Sequence, residues 1–187
     1  MKSTEIDFRE IKVLLIDDSR HMRLIIKSIL LGLGCKQIRE AGDAAVAFKE
    51  MQSFTANLII VDWFMEPLDG LEFVRLVRTA EDSPDPYIPI IMLSGFTEFQ
   101  RVAEARDAGV NEFLAKPVSV QLLGRRIESI INNPRQFIRT KNYFGPCRRR
   151  NDYGPPRGKT ERRVADAEEK SVFDIPIDST DASTEDL

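Results

Sequence analysis

Residues 11–18 read Ile11-Lys12-Val13-Leu14-Leu15-Ile16-Asp17-Asp18. A short apolar run that ends on charge marks a strand buried on both faces whose last residues reach a sheet edge. Behind it, Met22, Ile25, Ile26, Ile29, Leu30 and Leu33 recur at helical spacing until Gly34 closes the helix. The same unit then repeats. Residues 37–40 form a short strand, followed by the helical stripe Ala44, Ala47, Phe48 and Met51. Residues 58–61 form a strand ending at Asp62, and Leu71, Phe73, Val74 and Val77 suit a helix that begins near Asp69. The strand over 88–93 ends at Ser94; its Pro89 lies near the start, where a missing donor is tolerated. Phe99, Val102 and Ala103 mark a helix stopped at Gly109. Residues 112–115 give a fifth strand, ending at Lys116-Pro117. Leu123, Ile127, Ile130 and Ile131 give a last helix, stopped near Asn132-Asn133-Pro134.

Continuous apolar strands alternating with amphipathic helices predict an α/β fold, a parallel sheet covered on both faces. With right-handed crossovers, a flavodoxin-like (βα)5 doubly wound sheet of strand order 2-1-3-4-5 follows for residues 10–131, preceded by an extension over 1–9. Apolar content falls at the same boundary: 64 of the first 131 residues are apolar, against 15 of the last 56. The back part is therefore predicted to lack a fold of its own. The net charge of −3 conceals a second division. Residues 132–163 carry 10 basic and 2 acidic side chains, and residues 164–187 carry 1 basic and 8 acidic. The tail thus divides into a basic segment and an acidic one.

Several classes fall away. No apolar run approaches the roughly 18 residues that a membrane span needs, and no membrane insertion is expected. The first residues carry no apolar signal region, and the only cysteines, Cys35 and Cys147, exclude a disulfide scaffold. The expected location is cytoplasmic. One histidine, His21, and two cysteines make a structural zinc site improbable, and His21 reads as a surface residue of the first helix. Cys35 reads as a small apolar filler between the first helix and the second strand, and Lys27, Lys36, Arg75 and Arg78 as solvated helix faces.

In an open α/β sheet, ligands bind at the carboxyl ends of the strands. Those ends deliver Asp17 and Asp18, Asp62, Ser94 and Lys116. Three converging carboxylates repel unless a cation sits among them, and an oxygen-only cluster suits Mg²⁺ better than zinc. A carboxylate can also attack phosphorus, giving an aspartyl phosphate. Each element alone has a commoner meaning: a helix cap, a strand end, a turn, a surface loop. Five of them at strand ends, in the right order, give a specific joint signal.

On these residues the chain resembles the receiver domain of bacterial two-component response regulators over roughly residues 10–131. The resemblance rests on Asp17-Asp18 followed by Met22-Arg23, on Asp62-Trp63-Phe64-Met65-Glu66-Pro67-Leu68-Asp69-Gly70, on Ser94-Gly95, and on Phe113 before Lys116-Pro117. It implies that Asp62 accepts a phosphoryl group from a histidine kinase or histidine phosphotransfer protein. It implies that Asp18, Asp62 and the Phe64 backbone carbonyl ligate Mg²⁺ and that Asp17 assists. Ser94 would hydrogen-bond the phosphoryl group, Lys116 would pair with it, and Phe113 resembles the aromatic switch. The Lys116–Pro117 bond is expected cis, as only X–Pro bonds make that form cheap. Such a chain is a regulated substrate that assists its own phosphorylation, not a turnover enzyme, and it would signal to a downstream protein through the face of helix 4, strand 5 and helix 5.

Three features depart from or extend the pattern. Glu66 stands where the family places the loop proline, with Pro67 one position later. Phe64 and Phe96 occupy the positions that flank the attacking water, so slow hydrolysis of the phosphoaspartate is expected. Haloacid dehalogenase hydrolases also use an Asp nucleophile, Mg²⁺ and a Lys, but want a second Asp where Phe64 stands. In the tail, Phe144-Gly145-Pro146-Cys147-Arg148-Arg149-Arg150 and Tyr153-Gly154-Pro155-Pro156-Arg157 form an approximate repeat. Arginine clusters match phosphate and carboxylate geometry. An alternative reading is therefore an adaptor whose Arg148, Arg149, Arg150 and Arg157 bind a nucleotide, nucleic acid or acidic protein; another is a phosphate sink or relay intermediate. No hydrophobic pattern long enough for a DNA-binding or enzymatic output domain follows residue 131.

Overall fold

The computed structural model describes residues 6–95, 99–140 and 143–147 and the backbone of 164–165. After a short 3-10 helix (Phe8–Glu10), the chain alternates β1 (Lys12–Ile16), α1 (Arg20–Leu33), β2 (Gln37–Ala41), α2 (Ala44–Ser53), β3 (Leu58–Asp62), α3 (Gly70–Thr79), β4 (Ile90–Ser94), α4 (Phe99–Ala108), β5 (Glu112–Ala115) and α5 (Val120–Asn132). The five strands form one parallel sheet in the order β2-β1-β3-β4-β5. This is the flavodoxin-like arrangement that the strand–helix alternation predicts.

The twofold period of each strand divides its apolar residues between two cores. Leu14, Ile16, Ile59, Val61, Ile90 and Met92 face α2, α3 and α4. Val13, Leu15, Ile60, Ile91, Leu93 and Leu114 face α1 and α5. Helix boundaries follow local chemistry. The Ser19 hydroxyl accepts from the Met22 amide to open α1, and Gly34 closes it in the left-handed region at φ 105°. Asp69 and Glu72 form a reciprocal capping box at the start of α3. Ser119 caps α5, which ends at Asn132 as the Asn-Asn-Pro stop predicts. Cys35 is buried in the core beneath α1, and burial pushes its thiol up to about 11. Phe99, a marker of the fourth helix in the sequence, is 87% exposed at the start of α4.

For residues 137–140 and 143–147 the structure departs from the expectation of a tail without a fold; the tail beyond 147, save the backbone of 164–165, lies outside the described residues. There β6 (Phe137–Thr140) and β7 (Tyr143–Pro146) pair antiparallel as the two arms of a hairpin. A two-residue strand, β8 (Val164–Ala165), pairs antiparallel with the other edge of β6. Phe137 and Phe144 pack with Tyr87 in a cluster whose ring centroids lie 5.1–5.7 Å apart. Pattern reading fails here because the hairpin buries its aromatics on the receiver rather than on a core of its own.

Arg78 is the second correction. It is not on a solvated helix face but buried at the C-terminal end of α3. Its guanidinium donates to the Gly109 carbonyl from Nε (3.1 Å) and Nη2 (3.0 Å), to the Pro86 carbonyl from Nη1 (2.7 Å) and to Asn111 Oδ1 from Nη2 (3.1 Å). Phe137 covers it at 5.1 Å. Burial pushes its pKa down to about 9, which leaves it charged at neutral pH. Gly109, at φ 102°, is approached so closely by Gly145 of the hairpin that a Cβ on Gly145 would lie 2.8 Å from its Cα. Phe144→Ala should accordingly lower the unfolding free energy by about 3 kcal/mol in urea titration. A change within error of zero would mean that the hairpin does not pack on the receiver.

Candidate functional site

Strand pairing alone brings the predicted residues together. Ile16 lies opposite Val61 in the β1–β3 ladder, so the next residues, Asp17 and Asp62, sit side by side at the carboxyl edge. Ser94 ends β4 opposite Ala115, and the following Lys116 amide donates to the Ser94 carbonyl at 2.8 Å. Asp17, Asp62 and Ser94 are buried. Carboxylate oxygens of Asp17, Asp18 and Asp62 all lie within 4.8 Å of one another. The Lys116–Pro117 peptide bond is cis, as expected, and so is Glu66–Pro67.

The Lys116 ammonium bridges Asp17 Oδ2 at 3.1 Å and Asp62 Oδ1 at 2.8 Å. One ammonium among three carboxylates leaves an excess of two negative charges, a donor set that fits a divalent cation with oxygen ligands. Burial raises the pKa of Asp62, and the neighbouring Asp17 adds to this, while the Lys116 hydrogen bond and charge oppose it. Burial works against the Lys116 charge, but the hydrogen bond and charge of Asp62, with those of Asp17, hold its pKa above the ordinary lysine value.

The loop after Asp62 is pinned. The Gly70 amide donates to the Trp63 carbonyl at 2.8 Å, and a Cβ on Gly70 would run into the Asp62 carbonyl. Glycine at this point lets α3 begin directly against the end of β3. Phe64 is 47% exposed at the mouth of the site. Trp63 turns inward and is buried; Phe113 meets its ring edge-on at 6.4 Å, and Arg101 of α4 lies 5.4 Å from the same ring. Phe96, Arg148, Arg149, Arg150 and Arg157 lie outside the described residues. His21 is exposed, as its position at the start of α1 predicts.

Two features escaped the sequence reading. Arg23, seen there only as a companion of the Asp17-Asp18 pair, donates from Nη1 to the Asp17 carbonyl at 2.6 Å and the Asp18 carbonyl at 3.3 Å. Glu40 of β2 braces it, with Oε2 3.6 Å from Arg23 Nε, and Lys27 holds Glu40 in turn at 2.6 Å. The available signal is that Arg23 stands one helical turn after the cap Ser19, pointing back at the strand end. Glu112 is the other: buried in β5, it pairs with Arg126 of α5 at 3.0 Å and with Arg135 beyond it at 2.9 Å. An acid inside a strand pattern was the signal there.

The comparisons with known proteins agree with this geometry. The model of the response regulator receiver domain family matches residues 13–128, and the chain belongs to that family, the receiver class of two-component signalling. The chain is 34% identical over 119 residues to the chemotaxis protein CheY of Pseudomonas aeruginosa, covering 64% of this chain and 94% of the relative. It is 36% identical over 121 residues to chemotaxis protein CheY1 of Helicobacter pylori, covering 64% and 96%. Among solved structures, CheY4 of Vibrio cholerae superposes with a TM-score of 0.59 at 29% identity, covering 64% of this chain and 98% of that one. No helix among the described residues is long and apolar enough to cross a membrane.

The raised Asp62 pKa has a measurable sign. A folded-state pKa above the ordinary 3.8 means that stability falls as pH rises from that value through the folded one, and the cost persists above it. In metal-free solution at pH 7, Asp62→Asn should therefore melt higher than the unsubstituted chain, with the gap closing as the pH falls through the raised pKa. A variant that melts lower at pH 7 would contradict the burial cost.

Proposed function

We propose that the chain is a phosphoacceptor switch in which Asp62 takes a phosphoryl group from the phosphohistidine of a histidine kinase or phosphotransfer protein. The observation that carries this reading is the Asp17–Asp18–Asp62 cluster bridged by Lys116. An Asp62 carboxylate oxygen attacks phosphorus, the phosphorus–nitrogen bond to the imidazole breaks, and the imidazole leaves with its electron pair and takes up a proton. Asp17, Asp18, Asp62 and the Phe64 carbonyl would hold Mg²⁺, which neutralises phosphoryl charge when bound. Lys116, already against Asp62, supplies a second positive charge to the oxygens, and Ser94 a hydroxyl at the neighbouring strand end. The Arg23 bonds to the Asp17 and Asp18 carbonyls keep that backbone fixed while the charge changes.

Phosphorylation then shifts the population of two states of the α4–β5–α5 face. Phe113 sits between that face and Trp63, the residue after the acceptor, which supports its role as the moving aromatic. The output is contact with a downstream protein, and the setting is the cytoplasm. Phe64, half exposed beside the acceptor, supports shielding of the phosphoaspartate from water.

Incubated with acetyl phosphate and Mg²⁺, the chain should gain one phosphoryl group by intact-mass spectrometry, and chelation should abolish the gain. Equal labelling of Asp62→Asn would overturn the proposal. Arg23→Ala should weaken Mg²⁺ binding by about tenfold in calorimetric titration, in line with the loss of partners that orient metal ligands, with Arg23→Lys intermediate. Unchanged Mg²⁺ affinity in Arg23→Ala would remove Arg23 from the site.

A further inference from the structure

The receiver carries a groove of about 310 Å³ between α4, β5, α5 and the segment leading into β6. Its floor is apolar, made by Val102, Ala105, Val110 and Phe113. Its rim holds three arginines, Arg106, Arg126 and Arg135, against one acid, Glu112, which Arg126 and Arg135 share. The lining therefore has an excess of two positive charges beside an apolar surface. That combination suits a segment carrying several carboxylates next to apolar side chains.

This chain contains such a segment, and in sequence it follows β8 directly. In the β6–β8 ladder Val164 lies opposite Arg139 and Ala165 opposite Ile138. At Ala165 the antiparallel direction of β8 points from Ile138 towards Phe137 and Arg135. The residues that follow are Asp166, Glu168 and Glu169, with the apolar pair Val172-Phe173 close behind. We propose that the acidic segment beginning at Asp166 docks in this groove of its own chain, with its carboxylates on the arginine rim and its apolar residues over the floor. The docked segment covers the side of Phe113 that faces solvent and so competes with any protein that binds there. The contact is independent of the signalling role, whereas the competition rests on the reading of the α4–β5–α5 face given above.

The test is an amide NMR comparison of the full chain with the full-length triple variant Asp166→Asn, Glu168→Gln, Glu169→Gln. At low salt, the shifts of Val102, Arg106, Val110 and Phe113 should differ between the two chains, while amides of α1 and β1 stay superposed. Raising the salt to about 0.5 M should collapse the difference, because the Debye length falls below 5 Å. Arg106→Gln should move the same amides in the same direction. Groove shifts that are identical in wild type and variant would overturn the proposal. So would differences confined to residues 148–163, which would place the acids on the basic stretch instead. Differences that grow with protein concentration would assign the groove to a second copy and equally overturn it. None of these outcomes depends on labelling of Asp62, so failure of the docking and failure of the phosphoacceptor reading are separable.

Discussion

The bridge from Lys116 to Asp17 and Asp62 is the interaction on which the rest of the site depends. Two buried carboxylates held side by side by strand pairing repel each other, and burial adds to the cost of their charge. One ammonium, delivered from β5 across the sheet at 2.8 and 3.1 Å, holds them in place. It does not balance the set: with Asp18 there are three carboxylates to one ammonium. The site is thus left with an excess of negative charge, which a divalent cation would meet and which, on the proposed reading, a phosphoryl group would rearrange. A switch needs this kind of imbalance: its resting state is held together, yet a change of charge redistributes every contact in it.

The structure also joins that edge to the opposite end of the molecule by continuous packing. Trp63 follows Asp62, Phe113 and Arg101 pack on it, and both belong to the α4–β5 side. On the same side, Glu112 draws in Arg126 and Arg135, so the chain beyond α5 is fastened to β5. The hairpin of β6 and β7 then closes over Arg78, whose hydrogen bonds tie α3 to the turn at Gly109. The segment after α5 is therefore fastened both to β5 and to the end of α3.

Most of the fold was legible because parallel strands buried on both faces leave a strong pattern. Leu58-Ile59-Ile60-Val61-Asp62 admits few other readings, and Gly34, Asp69 and Asn132-Asn133 carry their own stop and start chemistry. The site was legible for the same reason, since strand ends are fixed once the strands are. Arg78 was not: an arginine in the last turn of an amphipathic helix looks solvated until Phe137, 59 positions later, covers it. The hairpin was hidden because its few aromatics, Phe137, Phe144 and the distant Tyr87, meet only in three dimensions. Arg23 was visible as a residue and invisible as a contact, because its partners are backbone carbonyls, which leave no trace in side-chain patterns.

The central claim is that the carboxylate at position 62 forms the acyl phosphate. Borohydride reduces an aspartyl phosphate to homoserine, so treatment of the phosphorylated chain followed by peptide mass spectrometry reads the position directly. The account predicts homoserine at position 62 and nowhere else, dependent on Mg²⁺ during phosphorylation. Homoserine at position 17 or 18 with Asp62 intact would contradict it.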